Sequence, residues 1–317
     1  MRKSTKALIA IGAAIATPII ANHIITKKAQ ARIVPRENEA LYNWEYGDIK
    51  YITRGFGEPL LLIHGIYPGA SALEFKGIME ALSQNYKVYA LDLLGFGYSD
   101  KPNISYSSYL YGGLIKDFIE DIIGSPVTAV ASLHSAASLA TCAKLNPESF
   151  KKVILISPTG TSDEANTSEW GGMMDQFGSK FKKTLDSPVL GTSLYHALTS
   201  KKALVEFLER EGLISYVDDI ILEEMYLAAH AGGTGGKYPI SALLSHSLNT
   251  DIKYTLENLT MPYHIITGDI DPDEKSSYFS LWQSPDESIE ATKIEETCLL
   301  PHVDSPDAFY NILKGLI

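Results

Sequence analysis

Cysteine is scarce in this sequence, and that scarcity narrows the class of protein. The 317 residues contain two cysteines, Cys142 and Cys298, so no framework of disulfide bonds supports the fold. The eight histidines show no ligand-type spacing with cysteines or carboxylates, so neither a metal nor a cofactor is implied. We find no low-complexity segment and no internal repeat. With 45% hydrophobic residues, the chain is expected to fold around a sizeable apolar core.

Basic residues are scarce outside the N-terminus. Residues 1–32 carry six of the 27 basic residues and none of the 38 acidic ones, which leaves 21 basic against 38 acidic residues in the body. A body with a net charge of −17 repels the phosphate backbone of nucleic acids. Nucleic acid is therefore not an expected partner.

Residues 1–32 have the pattern of an export signal. A basic start precedes a mostly apolar run from Ala7 to Ile25, and Lys27 and Lys28 close it. Small residues at Ala29 to Ala31 offer a cleavage site, which predicts a secreted protein. The run also approaches the ~20 residues that a membrane-spanning helix needs, which predicts a cell-membrane protein with its domain outside. Both readings stay open, and the membrane is an expected partner if the segment is not cleaved.

The body alternates strands with helices. Strands are predicted at Ile49–Thr53, Pro59–Ile63, Lys87–Leu91, Val127–Ala131, Lys152–Ser157, Tyr263–Thr267 and Lys293–Cys298. Helices are predicted between them at Ala72–Gln84, Tyr109–Ile123, Ala136–Leu145 and Pro306–Leu316. This alternation predicts an α/β fold with a mostly parallel sheet and helices on both faces.

A long insertion interrupts this alternation. Between Ser157 and Tyr263 the pattern is mostly helical, at Gly171–Leu185, Lys201–Glu211 and Ile220–Ala231, with a glycine-rich break at 232–236. An insertion of this size between two strands predicts a helical lid over a site. We therefore expect a core at 33–158 and 259–317 and a lid, or cap, at 159–258.

Two motifs carry a resemblance to a known family. Leu61-Leu62-Ile63-His64-Gly65 closes a predicted strand, and Asp92-Leu93-Leu94-Gly95-Phe96-Gly97-Tyr98-Ser99-Asp100 follows the next one. Together they resemble the α/β-hydrolase superfamily, in its lid-bearing branch of esterases, epoxide hydrolases and dehalogenases. The resemblance implies the α/β-hydrolase fold and an oxyanion loop at Gly65 and Ile66, where backbone N–H groups can face a developing negative charge.

The nucleophile of that family stands in a Gly-x-Ser-x-Gly turn between a strand and a helix. Aligned without gaps, Ala131 and Ser135 take the two glycine positions, and Leu133 takes the serine position. Leucine has no hydroxyl group and cannot attack a substrate. An alternative register makes Ser135 the nucleophile, although it places a branched leucine where the strained turn needs glycine.

The alignment retains the family's catalytic acid but not its catalytic histidine. Asp271 matches the family's acid, with Asp269 a weaker candidate. The segment from Cys298 to Pro306 resembles Gly-His-x-Pro-His-x-Glu-x-Pro, so Leu299 takes the position of the catalytic histidine. His302 then matches the second, non-catalytic histidine, three residues too late for the reach of a general base.

Leucine at both reactive positions predicts a member of this superfamily that does not hydrolyse substrates, a pseudoenzyme. Such a protein would bind a small apolar molecule or a partner protein within the retained scaffold. The alternative is an active, esterase-like serine hydrolase that uses Ser135, His302 and Asp271.

Overall fold

The computed structural model describes residues 18–160, 182–270 and 291–317. The described residues contain an eight-stranded sheet in the order β1-β2-β4-β3-β5-β6-β7-β8. The strands are β1 (Glu39–Trp44), β2 (Gly47–Arg54), β3 (Glu58–Ile63), β4 (Tyr86–Leu91), β5 (Val127–Ser132), β6 (Phe150–Ile156), β7 (Tyr263–Gly268) and β8 (Ala291–Ile294). β1 and β2 are antiparallel to their neighbours and the other strands are parallel, which confirms the predicted mostly parallel sheet.

Helices cover both faces of the sheet. They are α1 (residues 18–30), α2 (Lys76–Ser83), α3 (Ser108–Phe118), α4 (Leu133–Leu145), α5 (Leu190–Leu198), α6 (Lys201–Arg210), α7 (Asp219–His230), α8 (Lys237–Leu244), α9 (Ile252–Glu257), α10 (Pro301–Asp304) and α11 (Pro306–Leu316). Side chains of β3 alternate between two clusters. Leu60 and Leu62 pack with Phe309 of α11, whereas Leu61 and Ile63 belong to the cluster on the other face.

The sequence missed the edge strand β1 and misplaced the last strand. β1 lies at Glu39–Trp44, where no element was predicted, because a half-exposed edge strand of six residues gives only a weak alternation. β8 ends at Ile294 instead of Cys298. Beyond it the chain makes a turn at residues 295–296, and the Cys298 N–H donates to the Asp304 carboxylate at 2.8 Å.

The described chain between β6 and β7 is mostly helical. We call residues 182–257, which include α5 to α9, the cap segment. Most of the helix predicted at Gly171–Leu185 lies outside the described residues. The glycine-rich break forms a turn between α7 and α8, with Gly232 and Gly233 at positive φ. The predicted domain boundaries stay a prediction.

At the other end of the chain, α1 lies against the cap segment. The Asn22 amide donates to the Ser193 hydroxyl at 3.0 Å, and Thr26 Oγ1 is 3.2 Å from His196 Nε2. Residues 1–17, where the predicted export signal begins, lie outside the described residues. Over the described ranges, no helix has both the length and the apolar character needed to cross a membrane.

Candidate active site

The turn between β5 and α4 has Leu133 at its apex. Leu133 adopts a φ of 50°, in the left-handed region, and its side chain is 3% exposed. That conformation costs an L-residue roughly 1–2 kcal/mol, so the surrounding packing must hold it. Gly65 lies directly opposite, since a Cβ atom built on it would be 3.0 Å from Leu133 Cδ1. The left-handed residue of this strand-to-helix turn is therefore the one that the gap-free register aligns with the nucleophile.

Two serines flank Leu133, and both hydroxyl groups have buried partners. Ser135 lies in the first turn of α4 and donates to the carbonyl oxygen of His64 at 2.6 Å. Ser132, the last residue of β5, donates to Glu74 Oε1 at 2.5 Å. Both serines are fully buried. Neither hydroxyl is hydrogen-bonded to a histidine ring in these contacts.

Glu74 is the centre of a buried polar network that no sequence motif predicted. Its side chain is 1% exposed, and its carboxylate accepts four hydrogen bonds. The donors are the Gly65 N–H (2.9 Å), the Tyr67 hydroxyl (2.8 Å), the Ser132 hydroxyl (2.5 Å) and His302 Nε2 (2.9 Å). The Glu74 carboxylate is thus already hydrogen-bonded to the Gly65 N–H, a backbone donor of the predicted oxyanion loop.

Electrostatics favour the charged form of Glu74. Burial by itself raises the pKa of a carboxyl group, but the hydrogen bond and charge of His302, together with Ser132, lower the pKa of Glu74 below its ordinary value. Burial, with the neighbouring Glu74 charge, raises the pKa of Tyr67 well above its ordinary value. Tyr67 therefore stays a neutral donor, and Glu74 stays an anion at neutral pH.

His302 is hydrogen-bonded to Glu74 and not to either serine in the described contacts. It stacks on Phe75, with ring centroids 4.8 Å apart, and its side chain is fully buried. Its Nε2 atom faces Glu74, so a carboxylate, and not a serine, is the partner of this histidine. The arrangement contains the three residue types of a catalytic triad with the carboxylate in the middle, where it cannot orient the histidine toward the serine.

Leu299 is buried and fixed by the cap segment. Its N–H donates to the carbonyl of Gly212 at 3.0 Å, and the next N–H, of Leu300, donates to Leu213 at 2.8 Å. Leu299 is 2% exposed and belongs to the same apolar cluster as Leu133 and Leu213. The backbone at the position aligned with the catalytic histidine is therefore paired with the cap.

The predicted acid cannot be placed. Asp271 lies outside the described residues, and Asp269, the weaker candidate, is exposed after the end of β7. Of the predicted oxyanion residues, Gly65 contacts Glu74, as described, and Ile66 is 2% exposed. Within the described ranges, no group of three His, Cys, Asp or Glu side chains is arranged to hold a metal ion.

His64 lies beside this network, and both of its ring nitrogens are close to backbone atoms. The Leu93 N–H donates to His64 Nε2 at 3.1 Å, so the ring proton lies on Nδ1, which is 2.6 Å from the Gly65 carbonyl. Burial lowers the pKa of His64, which keeps the ring neutral. His64 thus ties the end of β3 to the loop after β4.

Two spaces adjoin the loop that follows the predicted oxyanion residues, at Pro68 and at Gly69 and Ala70. A cavity of about 10 Å³, lined in part by Lys101 and Tyr195, has room for about one water molecule. A larger open groove of about 540 Å³ lies between Pro68 and α6, with Phe207 in its wall and Glu206 among its lining residues.

These features agree with a family match. The family model described as alpha/beta hydrolase fold matches residues 58–237, more than half of the chain. The chain therefore belongs to the alpha/beta hydrolase fold family, and the fold class predicted from the two sequence motifs is confirmed. The match includes the oxyanion loop and the turn at Leu133.

Curated relatives match over shorter segments. An uncharacterised protein of Mycobacterium tuberculosis is 33% identical over 112 residues, which cover 35% of this chain and 32% of the relative. The 2-hydroxy-6-oxo-6-(2'-aminophenyl)hexa-2,4-dienoic acid hydrolase of Metapseudomonas resinovorans is 30% identical over 115 residues, 36% of this chain and 40% of the relative. The matched segment thus spans about a third to two fifths of the length of these relatives.

Solved structures resemble the whole fold. The serine hydrolase CarC, involved in carbazole degradation, has a TM-score of 0.68 and 18% identity, covering 87% of this chain and 97% of that one. A membrane phospholipase A, described as a bacterial virulence factor, has the same TM-score and identity and covers 98% of this chain and 95% of that one. At this identity the likeness shows the fold alone.

Proposed function

We propose that this chain is a membrane-retained, non-hydrolytic member of the alpha/beta hydrolase fold family that binds a small apolar molecule. The observation that carries the proposal is Leu133 at the apex of the β5–α4 turn, where the family's chemistry needs a hydroxyl group. An apolar side chain there cannot form a covalent intermediate with an acyl substrate.

The contacts of the remaining candidates support the same reading. Ser132 donates to Glu74, and Ser135 donates to the His64 carbonyl, so neither hydroxyl is paired with the histidine ring that activates a serine in a catalytic triad. His302 is engaged with Glu74. Hydrolysis by Ser135 and His302 would require both side chains to leave buried hydrogen bonds, each of which is costly to break.

Retention of the N-terminal segment is supported by its contacts with the cap. Asn22 exchanges hydrogen bonds with Ser193, and Thr26 faces His196. Ala29, at the predicted cleavage site, is 1% exposed. Cleavage there would remove Asn22 and Thr26, the polar partners of Ser193 and His196 in the cap segment.

The groove beside Pro68 has the size of a small-molecule site. Its volume of about 540 Å³ lies within the roughly 300–1,000 Å³ of ligand pockets. Phe207, Leu198 and Ala203 give part of its wall an apolar surface, and the charged residues Glu206, Glu209 and Arg210 line the rest. A partner protein is the other occupant compatible with an open groove, and a titration with fluorescent fatty acids separates the two.

The experiment that tests the loss of hydrolysis is labelling of the full chain with a fluorophosphonate probe, alongside assays on short p-nitrophenyl esters. We expect no adduct and no turnover. A related active esterase serves as the positive control. An adduct on Ser135 or Ser132, mapped by mass spectrometry, would overturn the proposal and establish an active serine hydrolase.

Membrane retention is tested separately in a bacterial host. We expect the full chain to remain with membranes after carbonate extraction and its mass to include residues 1–30. A soluble product that begins after Ala31 would show that the segment is a cleaved signal.

A further inference from the structure

Helix α1 has two faces of different character. Asn22 and Ala29 are buried against the rest of the protein, and Thr26 between them contacts the cap. On the opposite side, Ile20 and Ile24 lie one turn apart and are 58% and 46% exposed. The other face of this helix is already packed, so the exposed isoleucine pair indicates a surface that contacts an apolar environment outside the protein.

The exposed apolar surface continues onto the cap. Ile19 on α1 is 47% exposed, and Leu190, the first residue of α5, is 66% exposed. The two helices meet here, since the Asn22 amide is 3.4 Å from the carbonyl of Val189. We call Ile19, Ile20, Ile24 and Leu190 the α1–α5 face.

Along α1, exposed apolar side chains are followed by lysines, which is the order needed to face the acyl chains and then the anionic headgroups of a bilayer. The isoleucines stand toward its N-terminal end, and the exposed Lys27 and Lys28 follow within one turn of Ile24. Apolar side chains followed by lysines match acyl chains followed by anionic headgroups. The acidic body, at −17 outside residues 1–32, is repelled by the same headgroups.

We propose that the α1–α5 face lies on the lipid bilayer, so that the cap faces the membrane and the core points away. In the sequence, the apolar run that begins at Ala7 ends within α1, at the residues that carry Ile19, Ile20 and Ile24. The inference rests on the proposed membrane retention.

The test attaches a bimane fluorophore to single cysteines in the full chain, reconstituted in vesicles of phosphatidylcholine and phosphatidylglycerol. Leu190→Cys probes the α1–α5 face. Phe56→Cys is the matched control. Phe56 is 88% exposed and lies just before β3, at the amino-terminal end of the parallel strands. The native Cys142 and Cys298 are 2% and 4% exposed, and the unmutated chain measures their background.

Vesicles that carry a nitroxide close to the headgroup end of the acyl chain quench fluorophores at the membrane surface. We expect the label at position 190 to lose at least about half of its emission, as an interfacial site does, and the label at position 56 to lose almost none. Flotation of the vesicles reports binding independently of either label.

The outcomes separate the two proposals. Flotation with quenching at 190 alone supports both. Flotation with equal quenching at both positions, or with none at 190, overturns the docking face and leaves membrane retention standing. Protein that stays at the bottom of the gradient overturns both.

Discussion

Replacing Glu74 with alanine should destabilise the protein far more than replacing an exposed glutamate. The substitution leaves four donors around a buried space without their acceptor, among them the Gly65 N–H and His302 Nε2. Each unsatisfied buried donor costs about 1–3 kcal/mol, so the loss of one acceptor shared by four donors would cost at most about 12 kcal/mol. Because water can enter the space and reduce the cost, we expect the free energy of unfolding to fall by about 3–5 kcal/mol.

Urea unfolding of the detergent-solubilised full chain measures this loss as a shift of the midpoint at constant slope. Glu80→Ala is the matched control. Glu80 pairs with Arg54 at 2.7 Å, but its side chain is 76% exposed, so its removal should cost at most about 1 kcal/mol. Equal losses in the two variants would refute the reasoning that the buried network holds this region together.

A small carboxylate should restore part of the stability of the Glu74→Ala variant. The space left by the side chain keeps donors from Gly65, Tyr67, Ser132 and His302, and acetate can accept from them. The midpoint of the variant should therefore rise with acetate concentration, as for any ligand that binds only the folded state. Sodium chloride at the same ionic strength should not raise it, and acetate should leave the unmutated chain unchanged.

The pH dependence follows from the lowered pKa of Glu74. A carboxyl group with a depressed folded-state pKa stabilises fully above its ordinary pKa, here 4.5, and this contribution is lost as the pH falls further. The difference in unfolding free energy between the unmutated chain and Glu74→Ala should thus be constant near neutrality and shrink below about pH 4.5. A difference that grows in acid would contradict the assigned charge.

Three further predictions concern other residues. Leu133→Ser and Leu299→His, each alone, should leave the chain unlabelled by a fluorophosphonate, whereas the double variant should gain labelling; labelling of Leu133→Ser alone would show that another base reaches this position. His196 Nδ1 is 3.1 Å from His230 Nε2, and burial, with the charge of His230, lowers the pKa of His196 to about 4. Since the unfolded chain binds this proton near pH 6.5, the unfolding free energy should fall between pH 6.5 and 4, and His196→Gln should flatten that part of the curve. Asp92, fully buried and 2.6 Å from Arg36, accepts from two backbone N–H groups, so Asp92→Asn should cost about 3 kcal/mol or more in urea unfolding.

The sequence by itself was enough to predict the fold family and to align Leu133 and Leu299 with the positions of the catalytic serine and histidine. Both features are visible in local sequence patterns. A strand covered on both faces must be apolar throughout, as Leu60–Ile63 is before His64-Gly65. A sharp turn needs small side chains, as at the residues around Leu133. Bounds of regular elements such as α11 follow from the same local rules. The edge strand β1 escaped prediction because half of its side chains face solvent.

Only the tertiary structure revealed what fills the site. Glu74 and Ser132 are 58 residues apart in the chain, and Glu74 and His302 are 228 apart, so no local pattern could predict that one carboxylate gathers them. The contact of Thr26 with His196 spans 170 residues in the same way. Local sequence sets which conformation a segment prefers, whereas a buried charge must find its donors wherever the packed fold brings them.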